Sequence, residues 1–325
     1  MEDNLFEQRT ELGDLQEAVE QLRTEIGKIV VGQDQMVELL LAGILADGHI
    51  LIEGVPGIAK TLTAKLLSRV ISVGFSRIQF TPDLMPSDVI GTSVFNPREN
   101  SFQFKPGPIF SHIVLIDEIN RAPAKTQSAL FEVMEERQVT VDGQTYVLQS
   151  PFMVVATQNP IEQEGTYHLP EAQLDRFLFK INVHYPSQEQ EIRIVTGHHQ
   201  SQLNTRLETV HPVLSSDKIA LLREKVRGLH VEEKLIYFIT AIVGATRNHK
   251  SIYLGASPRA SIGILNGAKA LAAMRGRDFV TPEDIIYTAP AVLRHRLVLM
   301  PEKEMEGSST DTIIDEIIQS IEIPR

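Results

Sequence analysis

Hydrophobic positions divide the chain into a first part in which apolar runs alternate with helical patterns and a second part that is helical. Between residues 49 and 183, short apolar runs are each bounded by turn residues or by a helical pattern. Continuous apolar runs of this length are typical of parallel strands buried on both faces of a sheet. The alternation predicts the α/β class with a parallel five-stranded sheet. The predicted strands are 49–54, 76–80, 112–117, 151–157 and 176–183.

Two stretches between the predicted strands have the pattern of β-hairpins. Residues 91–110 carry short alternating runs around the turn-forming residues 96–100. Residues 137–148 carry Asp142 and Gly143 between two alternating runs, which is a strong hairpin signal because both residues tolerate positive φ. We interpret both hairpins as insertions that project from the α/β layer.

Helical periodicity flanks the α/β part on both sides. Residues 5–30, from Leu5 onward, place apolar residues at steps of mostly three and four, which predicts an amphipathic helix packed on the core; a short coiled coil is the alternative. After residue 186 the strand pattern stops, and Ser257 and Thr281, each followed by proline, are typical helix starts. We predict two domains, an α/β core of residues 1–186 and a smaller all-α domain of residues 187–325.

Composition and charge exclude several classes of protein. The chain has 325 residues and no cysteine, so neither disulfides nor thiolate metal sites can form, which suits a cytoplasmic location. No apolar run approaches the roughly 20 residues of a membrane span, and the acidic N-terminus lacks the pattern of a secretory signal. The net charge of −11 argues against a broad surface for nucleic acid. His198 and His199 lack a third ligand at metal-binding spacing, and we interpret them as solvated loop residues.

The stretch EGVPGIAKT, residues 53–61, nearly matches the phosphate-binding loop G-x-x-x-x-G-K-[ST]. In such a loop, backbone N–H groups and a helix N-terminus hold phosphates, the lysine contacts the β/γ-phosphates and the hydroxyl binds Mg²⁺. Gly54, Lys60 and Thr61 fit the pattern, but Ala59 replaces its second glycine. Alanine is tolerated at negative φ, so we expect Ala59 to adopt a negative φ. A Gly-Pro turn without a nucleotide is the alternative for this stretch alone.

Acidic and amide residues follow two of the other predicted strands. Asp117 and Glu118 end the third run, and Asn159 follows the fourth. In P-loop NTPases an acid at this strand end holds Mg²⁺, and a neighbouring carboxylate can activate the attacking water. Because ligands sit at the carboxyl ends of parallel strands, we expect these residues and Lys60 to share one edge of the sheet. The loop and the acids together predict a nucleoside triphosphate site.

Four longer stretches resemble the MoxR family of AAA+ ATPases. They read IVVGQDQMVELLLAGILADGHILIEGVPGIAKT, LIDEINRAPAKTQSALFEVMEERQVT, VVATQNPIEQEGTYHLPEAQLDRF and GASPRASI. Phosphate loops of this family commonly read G-x-P-G-x-A-K-T, which makes Ala59 a family trait. The resemblance covers nearly the whole chain after about residue 10 and implies an AAA+ P-loop core with a helical lid. It also implies that the first hairpin interrupts the second core helix and that the second hairpin precedes the sensor-1 strand.

The resemblance implies ATP and Mg²⁺ as ligands and gives each motif residue a role. Lys60 would clamp the phosphate charge, Thr61 and Asp117 would hold Mg²⁺, Glu118 would activate the nucleophile, and Asn159 resembles sensor 1. The adenine-side segment would be Val31, Gly32 and Gln33, and the phosphate loop would comprise Gly54, Val55, Pro56, Gly57, Ile58, Ala59, Lys60, Thr61 and Leu62.

Three arginines complete the implied site. Arg176 resembles an arginine finger that enters a neighbour's site, with a salt bridge to an acid such as Asp175 as the structural alternative. Arg259 resembles sensor 2, with a solvent-facing helix residue as the alternative. Arg121 has two open interpretations, a contact with a neighbour or a contact with a local carboxylate.

The resemblance further implies a ring, commonly a hexamer, that hydrolyses ATP to remodel or mature a client protein complex. Such proteins often act with a separate partner bearing a von Willebrand factor A domain. A DNA-handling motor is the main alternative, but the second hairpin has one basic residue, Arg137, and an acidic tip at Asp142, which phosphate tracking disfavours. A nucleotide-dependent scaffold with little turnover is a third hypothesis.

Overall fold

The structure is a computed structural model that describes residues 11–55, 57–160, 167, 169–200 and 207–324. The strands are β1 (His49–Gly54), β2 (Phe75–Gln79), β3 (Gly91–Asn96), β4 (Ser101–Pro106), β5 (Ile113–Asp117), β6 (Gln138–Val141), β7 (Gln144–Val147), β8 (Met153–Gln158), β9 (Phe177–Val183), β10 (Ile252–Leu254) and β11 (Val298–Leu299). The helices are α1 (Gly13–Gly27), α2 (Asp34–Leu45), α3 (Lys60–Val70), α4 (Pro86–Ile90), α5 (Ala124–Glu136), α6 (Glu171–Leu174), α7 (Gln188–Gln200), α8 (Ser216–Arg227), α9 (Glu233–Asn248), α10 (Pro258–Met274), α11 (Pro282–Leu293), α12 (Pro301–Met305) and α13 (Thr310–Ser320).

The centre of the molecule is a five-stranded sheet with the order β2-β5-β8-β1-β9, in which all neighbours are parallel. Its strands lie within two residues of the predicted runs. Successive residues of β5 face opposite cores: Ile113 and Leu115 pack with α1–α3 and the lid, and Val114 and Ile116 pack with α5. Burial of such side chains stabilises the fold by about 1.5–3 kcal/mol each, which explains the uninterrupted apolar pattern.

The N-terminal helix is shorter than predicted. Helix α1 spans Gly13–Gly27 and buries Leu15, Val19, Leu22 and Ile26 in the core. It packs against α2, α3 and α10, as expected for a helix on the core and not for a coiled coil. Leu5, which began the predicted periodicity, lies outside the described residues.

Both predicted hairpins are present and contact each other. Strands β3 and β4 pair antiparallel, and so do β6 and β7, which directly precede the strand β8. The Ser93 hydroxyl donates a hydrogen bond to Asp142, and Phe104 stacks on Tyr146 with ring centroids 4.3 Å apart. The first hairpin follows the short helix α4, and residues 107–112 then lead into β5 without a further helix, so the hairpin ends this helix instead of interrupting it.

The part of the chain after β9 is a helical lid with one addition that the sequence pattern did not reveal. Strands β10 and β11 form a small antiparallel pair within it. The predicted helix starts are confirmed, since the Ser257 hydroxyl accepts a hydrogen bond from the Arg259 backbone N–H and Thr281 forms a capping box with Asp284. The division of the chain at residue 186 stays a prediction. Among the described residues, none of the helices combines the length and apolarity needed to cross a bilayer.

Glycine allows the lid helix α10 to approach the sheet closely. A Cβ atom on Gly267 would lie 2.5 Å from Thr288 Cγ2 and 2.9 Å from Phe179 Cζ, both closer than real contacts allow. A larger residue would therefore separate α10 from β9.

Three consecutive lid residues bind the backbone of the edge strand β9. Arg294 Nη1 donates to the Lys180 carbonyl at 3.0 Å, and His295 Nε2 and Arg296 Nη2 donate to the Phe177 carbonyl at 3.0 and 2.6 Å. Because His295 is buried among these arginines, its pKa is lowered well below 6.5, chiefly by desolvation. The lid is thus hydrogen-bonded directly to the core sheet.

Candidate active site

The turn from β1 into α3 forms an open loop that fits phosphates. Gly57 has a φ of +87°, and a Cβ atom there would meet nothing within 4 Å. Lys60 begins the 11-residue helix α3, whose N-cap makes no side-chain hydrogen bond. Lys60 Nζ donates to the Gly54 carbonyl at 2.6 Å, which folds the lysine back over the loop. Free space beside the N-terminus of a helix is a suitable environment for an anion. Pro56 lies outside the described residues.

The expectation that Ala59 has a negative φ is wrong. Ala59 is the N-cap of α3 and has a φ of 62° and a ψ of 18°, in the left-handed region. The tight turn from the loop into the helix imposes this conformation, which glycine adopts at no steric cost. For alanine it costs about 1–2 kcal/mol. The family resemblance makes the alanine characteristic, but its backbone is strained.

The end of β5 is connected to β8 by a chain of hydrogen bonds. The Thr157 hydroxyl donates to Asp117 Oδ1 at 3.1 Å and accepts from the Glu118 backbone N–H at 3.1 Å. Arg77, on the neighbouring strand β2, donates through Nε to Asp117 Oδ2 at 2.6 Å. Both oxygens of the buried carboxylate are thereby fixed in place, and the sequence analysis had not identified Arg77.

The carboxylate of Glu118 is held by two side chains through one of its oxygens. Gln79 Nε2 donates to Glu118 Oε2 at 2.9 Å, and Arg121 Nε lies 3.0 Å from the same oxygen. Glu118 itself has a φ of 57°, so its backbone is in the left-handed region. Of the two interpretations of Arg121, the structure shows the contact with a local carboxylate. Gln79, at the end of β2, is a further residue that the sequence analysis missed.

The predicted loop, acid and amide residues lie at one edge of the sheet. Since β5, β8 and β1 are neighbouring parallel strands, their carboxyl ends bring Asp117, Asn159 and the loop before Lys60 side by side, about 4.8 Å from strand to strand. Thr61 lies in the first turn of α3, next to Lys60. A carboxylate and a hydroxyl are oxygen donors of the kind that Mg²⁺ prefers, so Asp117 and Thr61 fit the ion. The carboxylate of Asp117 would then contact both Arg77 and the Mg²⁺ ion.

A mainly apolar cavity of about 290 Å³ lies beside the phosphate loop. Val31 and Gln33 from the predicted adenine-side segment face Ile58, Ala59 and Leu62 across it. Gly32 lies next to this cavity at a φ of 75° and is covered by Gln190. The cavity thus joins the two segments that the sequence analysis assigned to the nucleotide.

The far wall of this cavity comes from helix α7. Ile194 and His198, four residues apart on one helical face, line it together with Pro186. The interpretation of His198 as a loop residue is therefore wrong, because the residue lies in helix α7. Its side chain is exposed, as expected for a solvated residue, and also lines the cavity. The spacing of Ile194 and His198 was the available signal, but α7 buries no residue and has a weak apolar pattern.

Arg176 lies at the opposite side of the same sheet, where the parallel strands begin; we call this side the amino edge and the side of the phosphate loop the carboxyl edge. It immediately precedes β9, where Phe177 pairs with His49 at the start of β1, whereas Val183 pairs with Gly54 at the phosphate-loop end. Six to seven residues of strand separate these edges, roughly 20 Å at about 3.3 Å per residue. The side chain of Arg176 therefore cannot reach the phosphate loop of its own chain.

Arg259 lies close to Arg176 because both contact Glu135 at the end of α5. Arg259 Nη2 is 2.7 Å from Glu135 Oε1, and Arg176 Nε is 3.6 Å from Glu135 Oε2. Asp175 is not the partner of Arg176, since it accepts hydrogen bonds from Arg296 and from Ser257. Arg176 thus has the salt bridge to a nearby acid that was its structural alternative, with Glu135 in place of Asp175. Arg259 is a half-exposed helix residue, as in its alternative, but it is also ion-paired.

Comparisons with known proteins agree with this arrangement. Residues 49–179 match the family described as "ATPase family associated with various cellular activities (AAA)", and residues 244–317 match an AAA lid domain. Chaperone MoxR1 of Mycobacterium tuberculosis is 46% identical over 310 residues, which cover 93% of this chain and 81% of that protein. The uncharacterized protein YeaC of Bacillus subtilis is 46% identical over 299 residues, 92% of each chain.

A solved structure shares the whole fold. The crystal structure of a candidate ATPase from Cytophaga hutchinsonii is 44% identical, with a TM-score of 0.89, and the match covers 96% of this chain and 97% of that one. The parallel sheet, the helical lid and these matches define an ATPase of the AAA type. Within that class, the chain belongs to the MoxR family.

Proposed function

We propose that this protein hydrolyses ATP to ADP and phosphate with Mg²⁺ and uses the reaction to remodel or mature a client protein complex. One observation carries the proposal. The loop and acids lie at one edge of the sheet, and the arginines Arg176 and Arg259 lie at the other. A second copy of the chain can bring its arginines to the phosphates, so the working unit is a ring, of which a hexamer is the expected form.

The carboxyl edge of the sheet supplies the groups that act within one chain. Lys60 and the N-terminus of α3 bind the phosphates, and the apolar cavity takes the adenine. Thr61 and Asp117 would hold Mg²⁺, which supplies positive charge at the β/γ-phosphates when bound. Glu118 accepts a proton from the attacking water, and Asn159 orients that water or the γ-phosphate. Since Gln79 and Arg121 both contact Oε2 of Glu118, Oε1 is the oxygen best placed to take the proton.

The amino edge supplies the groups that act on a neighbour. Arg176 contacts the γ-phosphate of the adjacent subunit and neutralises charge that develops there, which in other NTPases increases the rate by about 10³–10⁵. Arg259 acts beside it as sensor 2. This assignment explains why two guanidinium groups gather where their own chain has no phosphate loop.

The surface of the hairpins favours a protein client over DNA. Phe102 and Val147 project from the two hairpins and are each 72% exposed. Arg137, the one basic residue of the second hairpin stretch, turns inward and pairs with Asp47 at 3.0 Å. Phosphate tracking would need that charge on the surface. The similarity to a MoxR chaperone supports a client complex. A separate partner with a von Willebrand factor A domain and a cytoplasmic location complete the proposal.

The variant Glu118→Gln tests the catalytic assignment. We expect ATP binding to persist and turnover to fall by roughly 10²–10³, because the amide cannot accept the proton. The measurements are phosphate release and nucleotide binding by the assembled protein. Glu302→Gln, the same change on the exposed helix α12, is the control and should retain full turnover. Normal hydrolysis by Glu118→Gln would exclude the assignment.

The same variant, trapped with ATP, offers a way to isolate the client. A pulldown from native lysate with mass spectrometry should recover a protein complex in the ATP-bound state and lose it with ADP. In parallel, wild-type turnover should not respond to DNA. Stimulation by DNA that falls steeply with salt would instead favour a DNA-handling motor.

A further inference from the structure

We propose that Glu135 is a positioning residue that holds Arg176 and Arg259 as a pair for the ATP site of a neighbouring copy. The inference rests on the proposed function, because it needs the arginines to act between subunits. It adds a residue to which the sequence analysis gave no role: Glu135 lies in the last turn of α5, well after Asp117 and Glu118.

The geometry of the contact is that of a bridge. Each carboxylate oxygen of Glu135 faces a different arginine, Oε1 towards Arg259 Nη2 at 2.7 Å and Oε2 towards Arg176 Nε at 3.6 Å. Among the described residues, Glu135 contacts Nη2 of Arg259 and Nε of Arg176. The other N–H groups remain available for the several oxygens of a phosphate, which a guanidinium binds well through paired donors.

The charges explain why a bridge is needed. Two guanidinium groups that approach the same phosphate repel each other, and the repulsion is strongest when the phosphate is absent. One carboxylate between them reduces this repulsion and leaves these three side chains together with a single net positive charge. Since Arg176 immediately precedes β9 and Arg259 lies in α10, the same bridge also fixes the lid relative to the core at this point.

The surroundings restrict Arg176 to this partner. Its guanidinium lies over the ring of Phe131, 6.0 Å from the centroid, at a cavity of about 290 Å³ that Glu135 and Gln173 also line. Within the described residues, Arg176 Nε is buried and makes no hydrogen bond. The Oε2 atom of Glu135 lies just beyond hydrogen-bonding distance, so a small movement on phosphate binding closes the contact.

The neighbouring residue Glu136 provides a matched control. It follows Glu135 in α5, lines the same cavity and is exposed, but it forms no ion pair with the described residues. A general effect of negative charge at this helix end would act through both residues, whereas bridging the arginines requires Glu135 alone.

The first measurement compares ATP turnover and ATP affinity of Glu135→Ala, Glu135→Gln and Glu136→Gln. We expect both Glu135 variants to lose turnover by about tenfold to a hundredfold, the effect of misplacing a catalytic group by about 1 Å, with unchanged ATP affinity and assembly. Glu136→Gln should match the wild type. Full turnover by Glu135→Ala would overturn the inference.

The second measurement separates positioning from a folding defect by mixing subunits. Glu118→Gln has an inactive site but intact arginines, and Glu135→Ala has an intact site but a displaced arginine pair. When the two variants are mixed in equal amounts, about a quarter of the subunit interfaces pair the intact ATP site of Glu135→Ala with the intact arginines of Glu118→Gln. The ATP turnover of the mixture should therefore rise above that of either variant alone. A structural role within the same subunit would give no such rescue.

A reference mixture of Arg176→Ala with Glu118→Gln distinguishes a failure of the proposed site between subunits from a failure of the role of Glu135. If this mixture is not rescued, the site between subunits is wrong, and the inference on Glu135 falls with it. If it is rescued and the Glu135→Ala mixture is not, the proposed function stands and Glu135 has no positioning role.

Discussion

The two edges of the central sheet differ in how their charged groups are held. At the carboxyl edge, Asp117 and Glu118 each have several partners on neighbouring strands, including Thr157 and Gln79. At the amino edge, Arg176 and Arg259 share the single carboxylate of Glu135. The first set of contacts fixes the acids in place, as the proposed nucleotide site requires. The second presents cations that remain partly exposed, which suits groups that act outside their own chain.

The largest effect should come from the amino edge. We expect Arg176→Ala to lower turnover by roughly 10³ or more and to leave ATP affinity nearly unchanged, because the arginine lies roughly 20 Å from its own phosphate loop. Steady-state hydrolysis and nucleotide titration measure the two quantities separately. Arg98→Ala, in the exposed turn between β3 and β4, should retain both. A parallel loss of ATP affinity in unassembled subunits would show that Arg176 serves its own site.

A smaller effect, a loss of folding stability in acid, should arise from His49, which also lies at the amino edge. His49 begins β1 and is buried between the Met134 carbonyl, to which Nε2 donates at 3.1 Å, and the Val154 N–H, which donates to Nδ1 at 3.0 Å. Burial, assisted by the Arg137 guanidinium, lowers the pKa of His49 from 6.5 to about 4. Because the unfolded chain binds the proton first, stability is complete above pH 6.5 and declines as the pH falls to about 4, by about 3 kcal/mol for His49.

Urea unfolding between pH 7.5 and pH 4.5 measures this loss. His49→Gln should be less stable than the wild type at neutral pH but should lose less stability in acid, since glutamine does not titrate. His211→Gln, at an exposed position, should keep the steep decline of the wild type. Equal declines in His49→Gln and wild type would show that His49 is not the buried neutral group.

The smallest effect concerns the carboxyl edge. Ala59→Gly removes the side chain from a residue at a φ of 62°, so we expect stability to rise by a few tenths to about 1 kcal/mol and ATP affinity to rise slightly. Thermal unfolding and ATP titration provide the two values. The matched change Ala220→Gly, at an exposed position inside helix α8, should have the opposite sign and cost about 1 kcal/mol of stability. Destabilisation by Ala59→Gly would show that the strain at this position is negligible.

The sequence pattern predicted the sheet and most of the residues at its carboxyl edge, because both depend on local features of the sequence. Buried strands leave apolar runs, and Lys60, Asp117 and Asn159 follow such runs directly. The sign of φ at Ala59 was mispredicted, since side-chain identity does not report the backbone conformation that a turn imposes.

The partners of the site residues were missed for a different reason. Gln79 and Glu135 are polar residues on partly exposed surfaces, where the pattern is the same whether or not a side chain has a function. Their contacts join elements that are 39 and 124 residues apart in the chain, to Glu118 and to Arg259 respectively. Only the topology of the sheet and the position of the lid bring these groups together. The pair β10 and β11 is too short to leave a periodic pattern.

The hydrogen bonds from Arg294, His295 and Arg296 to β9 also protect the edge strand of the central sheet. An edge strand with free carbonyl groups is a template for another strand, and contact through it leads to aggregation. Here side-chain donors occupy the carbonyls of Phe177 and Lys180. Addition of a further strand at this edge of the sheet is thereby disfavoured.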